Sequence, residues 1–243
     1  MFLNAIYRPK GEALEYANLG LNLYTGCSHE CRYCYCEDFL WFDGTCNDLN
    51  SSLFIIERDL KRLALNGNRD RVHLSFAGDP YDQGRADNSY TRKVLELFNK
   101  YHHPFQILTK GSSNHAFLDF DLYSREDRFG VTLTFDNDVD SLKWEPGAAL
   151  PSDRIKALKI AHDVYGIETW VSLEPVIIPE QTLHLIDLTH EFVDHYGVGK
   201  LNHNPELEKT IDWHKYLADA EALLKGYGKS YKIKKALAEA GRS

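Results

Sequence analysis

Short strand-like runs alternate with helix-length amphipathic runs along most of this 243-residue chain, and no other feature narrows its fold as far. LGLNLY (Leu19 to Tyr24), VHLSFA (Val72 to Ala77), FQILT (Phe105 to Thr109), VTLTF (Val131 to Phe135), TWVSL (Thr169 to Leu173) and GVGKL (Gly197 to Leu201) read as six strands. Between them, Ser51 or Ser52 opens a run with Leu53, Ile56, Leu60 and Leu63 on one face, which stops near Gly67. Asn88 opens another through Val94, Leu97 and Phe98. Pro151 and Ser152 precede Ile155, Leu158 and Ala161, with Gly166 as a natural stop. Further helices are expected from Glu180 to His195 and from Pro205 to Leu224.

This alternation predicts parallel βα units joined by right-handed crossovers. Six units are two short of a closed eightfold barrel, so an open six-unit barrel and a doubly wound sheet both satisfy the pattern. Either α/β architecture puts ligand chemistry at the carboxyl ends of the strands. With no fixed-length repeat, low-complexity stretch or linker, 1–243 reads as one domain. Its core would span 19–204, followed by a C-terminal helical extension over 205–243.

A chain of this length buries a sizeable core without staples, so stability does not explain its five cysteines. The absence of a long apolar run argues against a membrane span. MFLNAIYRPK has neither a cationic start nor a long apolar segment, unlike a secretory signal, and a cytoplasmic location is the expectation. There, clustered thiols serve metal or redox chemistry more often than disulfides. The net charge of -8 argues against a general nucleic-acid coat but leaves room for a local basic groove. The basic candidates are Lys225, Lys229, Lys232, Lys234, Lys235 and Arg242, set against Glu239 alone. They read as a solvated terminal helix or as a phosphate contact.

Four of the five cysteines fall within YTGCSHECRYCYC, Tyr24 to Cys36. Cys27, Cys31 and Cys34 form C-x3-C-x2-C just after the first strand, while Cys36 and Cys46 lie outside that spacing. A closed structural zinc site takes four protein ligands, and Cys36 or His29 is available as the fourth. The usual second ligand pair from a separate segment is absent. A cubane iron-sulfur cluster is ordinarily held by four thiolates, so three would leave one iron open for another ligand.

C-x3-C-x2-C with an aromatic, Tyr33, before its last cysteine resembles the signature of the radical S-adenosylmethionine (radical SAM) superfamily. FAGDPYD, ILTKGS, VTLTF, EPGAALPSDRIKAL, SLEPVIIP and GKLN extend the likeness from about Leu19 to Asn204. Together they are similar to the spore photoproduct lyase-like, or DNA repair photolyase-like, branch. The resemblance implies an open six-unit (β/α)6 partial TIM barrel. It also implies a [4Fe-4S] cluster on Cys27, Cys31 and Cys34, with S-adenosylmethionine on the open iron. Reductive cleavage would give a 5'-deoxyadenosyl radical, with electrons from a flavodoxin- or ferredoxin-like donor.

For the cofactor's side of the site, the resemblance implies Asp79 toward the methionine ammonium and Lys110 toward its carboxylate. Thr132 and Thr134, on one face of the fourth strand, offer hydroxyls. Glu174 is a candidate for the ribose, the substrate or an ion pair, and Tyr33 and Tyr35 for the adenine wall. Asp79 is also good turn chemistry in G-D-P-Y, Glu145 and Arg154 suit a structural ion pair, and Asn202 and His203 end the sixth strand. Spore photoproduct lyase carries a hydrogen-donating cysteine just ahead of the motif matching G-D-P, where this chain has Ser75, Phe76 and Ala77. DNA or another nucleic acid is therefore the substrate class by resemblance alone. A small-molecule or peptide substrate, or a non-catalytic zinc module, stand as alternatives.

Overall fold

The computed structural model describes residues 4–38, 51–85, 87–202 and 204–242, so Cys46 and His203 lie outside the described residues. The strands are β1 (Leu19–Leu21), β2 (Val72–Leu74), β3 (Phe105–Thr109), β4 (Arg128–Thr132), β5 (Glu168–Leu173), β6 (His195–Val198) and β7 (Ser230–Ile233). They form one parallel sheet in sequential order, β1 to β7. Among the described residues β1 and β7 each pair with one neighbouring strand, so the barrel is open, as the resemblance implied.

The crossovers carry α1 (Leu53–Leu65), α2 (Ser89–Lys100), α3 (Ser113–Phe117), α4 (Asp138–Trp144), α5 (Pro151–Asp163) and α6 (Pro179–Thr189). Beyond β6 come α7 (Pro205–Glu208), α8 (Trp213–Gly226) and α9 (Lys235–Ala240). Local chemistry sets these ends. Ser52 caps α1 by accepting from the Ile55 amide. Pro151 and Pro179 start α5 and α6, where a missing N–H costs nothing.

The period of two sorts the strand side chains. Val72, Leu74, Phe105, Ile107, Phe129, Val131, Val171 and Leu173 join the helices in the main core. The opposite, inner face carries His73, Gln106, Trp170 and Ser172, all buried. Gly130 also faces inward, and a Cβ there would lie 2.3 Å from the Trp170 indole nitrogen.

The chain departs from the expected layout in several places. The expected helical extension contains β7, whose residues alternate between exposed and half-buried. The 205–224 helix is interrupted between Glu208 and Trp213, and α6 stops at Thr189, leaving a short connection to β6. The fourth strand runs three residues earlier than expected, so Thr134 lies beyond its end. Nor is the basic tail wholly solvated, because Lys234 is buried against Glu174.

The N-terminal segment bridges the open side. Tyr7 and Gly20 exchange two backbone hydrogen bonds of 2.9 and 2.8 Å beside β1. The chain between them reaches the β7 side, where Lys232 donates to the Glu15 carbonyl and the Lys235 amide donates to the Glu15 carboxylate.

Candidate active site at the mouth of the barrel

The cysteine loop leaves β1 at the carboxyl end of the sheet. Gly26 (φ 77°) and Glu30 (φ 50°) turn it through the left-handed region. Two neighbouring loops clamp it. After β2, Asp82 accepts from the Ser28 amide at 2.7 Å and from the Ser28 hydroxyl. After α4, the Gly147 amide donates to the His29 carbonyl, and the Trp144 carbonyl accepts from the Arg32 amide, both at 2.9 Å. A Cβ on Gly147 would come within 2.2 Å of the Ser28 carbonyl oxygen, so this approach requires glycine.

Among the described residues Cys27, Cys31, Cys34 and Cys36 form no disulfide, Cys31 and Cys36 being buried and the other two half-buried. Burial pushes the Cys31 thiol up to about 11, helped by Glu145 and opposed by Lys110. Burial, with Asp79 and Asp82 nearby, also raises Cys27. Coordination to a cationic centre reverses that preference, because a metal-bound thiol is deprotonated outright.

Behind the loop lies a buried ion pair. The Glu145 carboxylate accepts from Arg154 at 2.5 Å, with both side chains fully buried. Arg154 further donates to the carbonyls of Ala149 (2.7 Å) and Thr132 (2.9 Å). Burial alone would lift Glu145, but Arg154 and Lys110 hold its carboxyl below the ordinary glutamate range. The Tyr33 hydroxyl donates to this carboxylate and lies 3.3 Å from the Thr134 hydroxyl. The Lys110 ammonium sits 5.4 Å above the Tyr33 ring. Tyr33, Lys110, Thr132 and Thr134 are thus gathered beside the cysteine loop.

The remaining candidates sit differently. Asp79 accepts from the Tyr81 amide (2.8 Å), the Lys110 amide (2.7 Å) and the Thr109 hydroxyl, which ties the β2 and β3 loops together. Tyr35 is 46% exposed and its hydroxyl donates to the Phe76 carbonyl. Glu174 accepts from the Tyr16 hydroxyl at 2.9 Å and pairs with Lys234, so its carboxylate is part of an ion pair. Asn202 is half-buried.

Sequence reasoning gave no role to Asp82, Gly147 or Tyr16, and read Lys234 only as part of a solvated or phosphate-binding basic tail. Asp82 stood inside FAGDPYD, and only folding reveals that it binds Ser28, 54 residues earlier. His29 is 3% exposed, with Nδ1 3.7 Å from Asp79 and Nε2 3.9 Å from Asp82. Burial lowers its pKa, with Asp79 and Asp82 opposing.

Fold and loop together define a class of protein: an open parallel βα barrel that presents a C-x3-C-x2-C loop at the carboxyl end of its first strand. The chain belongs to the radical SAM superfamily, whose family model matches residues 21–193. It is 28% identical over 219 residues, 88% of its length and 78% of the other's, to the uncharacterized protein MJ0683 of Methanocaldococcus jannaschii. It is similar to a mutant of spore photoproduct lyase with a TM-score of 0.73 at 12% identity, covering 93% of this chain and 78% of that one. Against Streptococcus suis SuiB bound to S-adenosylmethionine the TM-score is 0.69 at 14% identity, covering 91% of this chain and 51% of SuiB. The chain thus spans about half of SuiB, and at these identities the likeness is one of fold. Among the described residues no helix is long and apolar enough to cross a membrane.

Proposed function

We propose that this radical SAM superfamily enzyme holds a [4Fe-4S] cluster on Cys27, Cys31 and Cys34 and uses S-adenosylmethionine to start chemistry on a nucleic-acid base. The observation carrying the reading is the three-thiol loop, clamped from two sides at the mouth of an open barrel in a superfamily member. The donor set fits: three thiols on one loop leave a cubane one open iron, and Cys36, buried beside the motif, is not needed. When bound, the cluster and S-adenosylmethionine supply reductive cleavage of the sulfonium to a 5'-deoxyadenosyl radical.

The chain's own residues orient the cofactor and exclude water. Lys110 is the cation for the methionine carboxylate: its amide is fixed by Asp79 and its ammonium faces the Tyr33 ring. Tyr33, held by Glu145, is the aromatic wall, with the Thr134 hydroxyl beside it, and Thr132 offers a further hydroxyl for the cofactor. Asp79 supports this side of the site by bracing two loops. Glu174, with Tyr16 and Lys234, lies on the substrate side. An acidic flavodoxin- or ferredoxin-like protein would deliver the electron.

For the substrate, the lyase-like motifs favour a base, and spore photoproduct lyase has been seen with a dinucleoside spore photoproduct. SuiB bound to its precursor peptide favours a peptide as the second reading. Protein reconstituted without oxygen and reduced with dithionite should convert S-adenosylmethionine to 5'-deoxyadenosine, and each of Cys27→Ala, Cys31→Ala and Cys34→Ala should lose the cluster. A full cluster without 5'-deoxyadenosine would sink the reading. Deuterium transfer into 5'-deoxyadenosine from labelled oligonucleotide or labelled peptide decides between the substrates.

A further inference from the structure

Within the cysteine loop and the loop after β2, three potential metal donors of different kinds converge. Among the described residues, the potential ligand atoms that converge within 4.8 Å of one another belong to Cys27, His29 and Asp82. This set takes one thiol from the cysteine motif and leaves out Cys31 and Cys34. Its imidazole is 3% exposed, and His29 Nε2 is buried without a hydrogen-bond partner. Leaving such an atom unpaired is costly. Nε2 is also the ring nitrogen nearer Asp82, at 3.9 Å, while Nδ1 is turned toward Asp79, at 3.7 Å. Asp79 thus stands behind the ring on the Nδ1 side, beyond hydrogen-bond distance, in the position where an outer carboxylate backs a metal-bound imidazole. Asp82 is held in place by the Ser28 amide and hydroxyl and by the Gly84 amide.

We propose that the cluster-free protein binds one divalent ion, zinc by preference, through Cys27 Sγ, His29 Nε2 and Asp82 Oδ1, with Asp79 behind the imidazole. One thiolate and one carboxylate balance the ion's charge, the neutral imidazole suits it, and water completes the tetrahedron. Binding releases the Cys27 thiol proton. Zinc outranks ferrous iron on such a donor set. Because Cys27 is shared with the proposed cluster, ion and cluster exclude each other, and zinc arriving first blocks cluster assembly. The competition rests on the cluster reading; the ion site itself does not.

The test is titration of cluster-free protein with zinc, and with cobalt as a spectroscopic stand-in, under anaerobic conditions. One ion should bind per chain in the parent protein and in Cys31→Ala and Cys34→Ala, with a sulfur-to-cobalt band from a single thiolate. Cys27→Ala should lose the band. His29→Ala should weaken zinc by more than the roughly 10–100-fold typical of losing an outer-shell partner. Because His29 Nε2 makes no hydrogen bond, this variant breaks no hydrogen bond at that atom. X-ray absorption of the zinc-loaded parent protein, which needs no variant, should show one sulfur among lighter ligands. Three or more sulfurs, unchanged zinc affinity in His29→Ala, or loss of zinc in Cys31→Ala or Cys34→Ala would each overturn the proposal. Iron and sulfide uptake is scored separately. His29→Ala should still build the cluster and should do so even in the presence of zinc, so a failed cluster and a failed ion site give different results.

Discussion

Arg154 is where the candidate site depends most on a single side chain. It reaches from α5 to the Glu145 carboxylate and to the carbonyls of Ala149 and Thr132, and Glu145 in turn receives Tyr33 from the cysteine loop. Removing one partner of a buried pair leaves the other charge uncompensated, which costs about 3–5 kcal/mol, whereas replacing both is often near neutral. Arg154→Met should therefore lower urea-unfolding stability by about that amount. The double variant Glu145→Gln with Arg154→Met should recover most of it, and equal stabilities for single and double variants would refute the coupling. At this scale the sequence was informative where chemistry is local. The three motif thiols are contiguous, and Glu145 and Arg154 are nine residues apart on one loop and helix. Asp82 escaped notice, and His29 stood only as a possible fourth zinc ligand, because Asp82 meets Ser28 from another loop, and no spacing rule links positions 54 residues apart.

The elements were legible where burial imposes a pattern. The six core strands stand out by the apolar residues that alternate on their helix-facing side, which packs into the main core. β7 carries no such imprint: Ser230 and Lys232 are exposed, Tyr231 and Ile233 are half-buried, and a Lys-rich setting suggested a solvated helix. VTLTF pointed too far downstream because Leu133 and Phe135 are buried in the loop after β4 rather than in the strand. β7 nonetheless covers the flank of β6, whose Tyr196 and Val198 are fully buried, and leads to Lys234, which meets Glu174. A chain ending at Gly228 would turn β6 into an unprotected edge, the kind that pairs with other molecules. It should unfold at lower urea and self-associate by light scattering. A monomer with the parent's unfolding midpoint would show that β7 is dispensable.

On the scale of the whole molecule, the inner face of the sheet is polar and aromatic, and it holds its histidine uncharged. The Gln106 amide donates to His73 Nδ1 at 3.1 Å, which leaves the ring proton on Nε2. The rings of Tyr16, Phe76 and Trp170 surround it, with centroids 5.5, 4.3 and 6.1 Å away. Burial, and then Lys234, pull its pKa down to about 3. In the unfolded chain a histidine titrates near 6.5, so between about 6.5 and 3 the unfolded state binds the extra proton and stability falls as the pH drops. Asp119 works in the opposite sense. Burial raises it to about 6, so its contribution is present below about 4 and fades as the pH rises through 6. A single acid-unfolding curve therefore mixes opposing contributions, and a comparison of two proteins separates them. Measured by urea at pH 7 and pH 5, the parent protein should lose about 2 kcal/mol more than His73→Gln over that interval. Because Asp119 is common to both proteins it cancels, and parallel pH profiles would mean that His73 titrates in the folded barrel as it does in the unfolded chain.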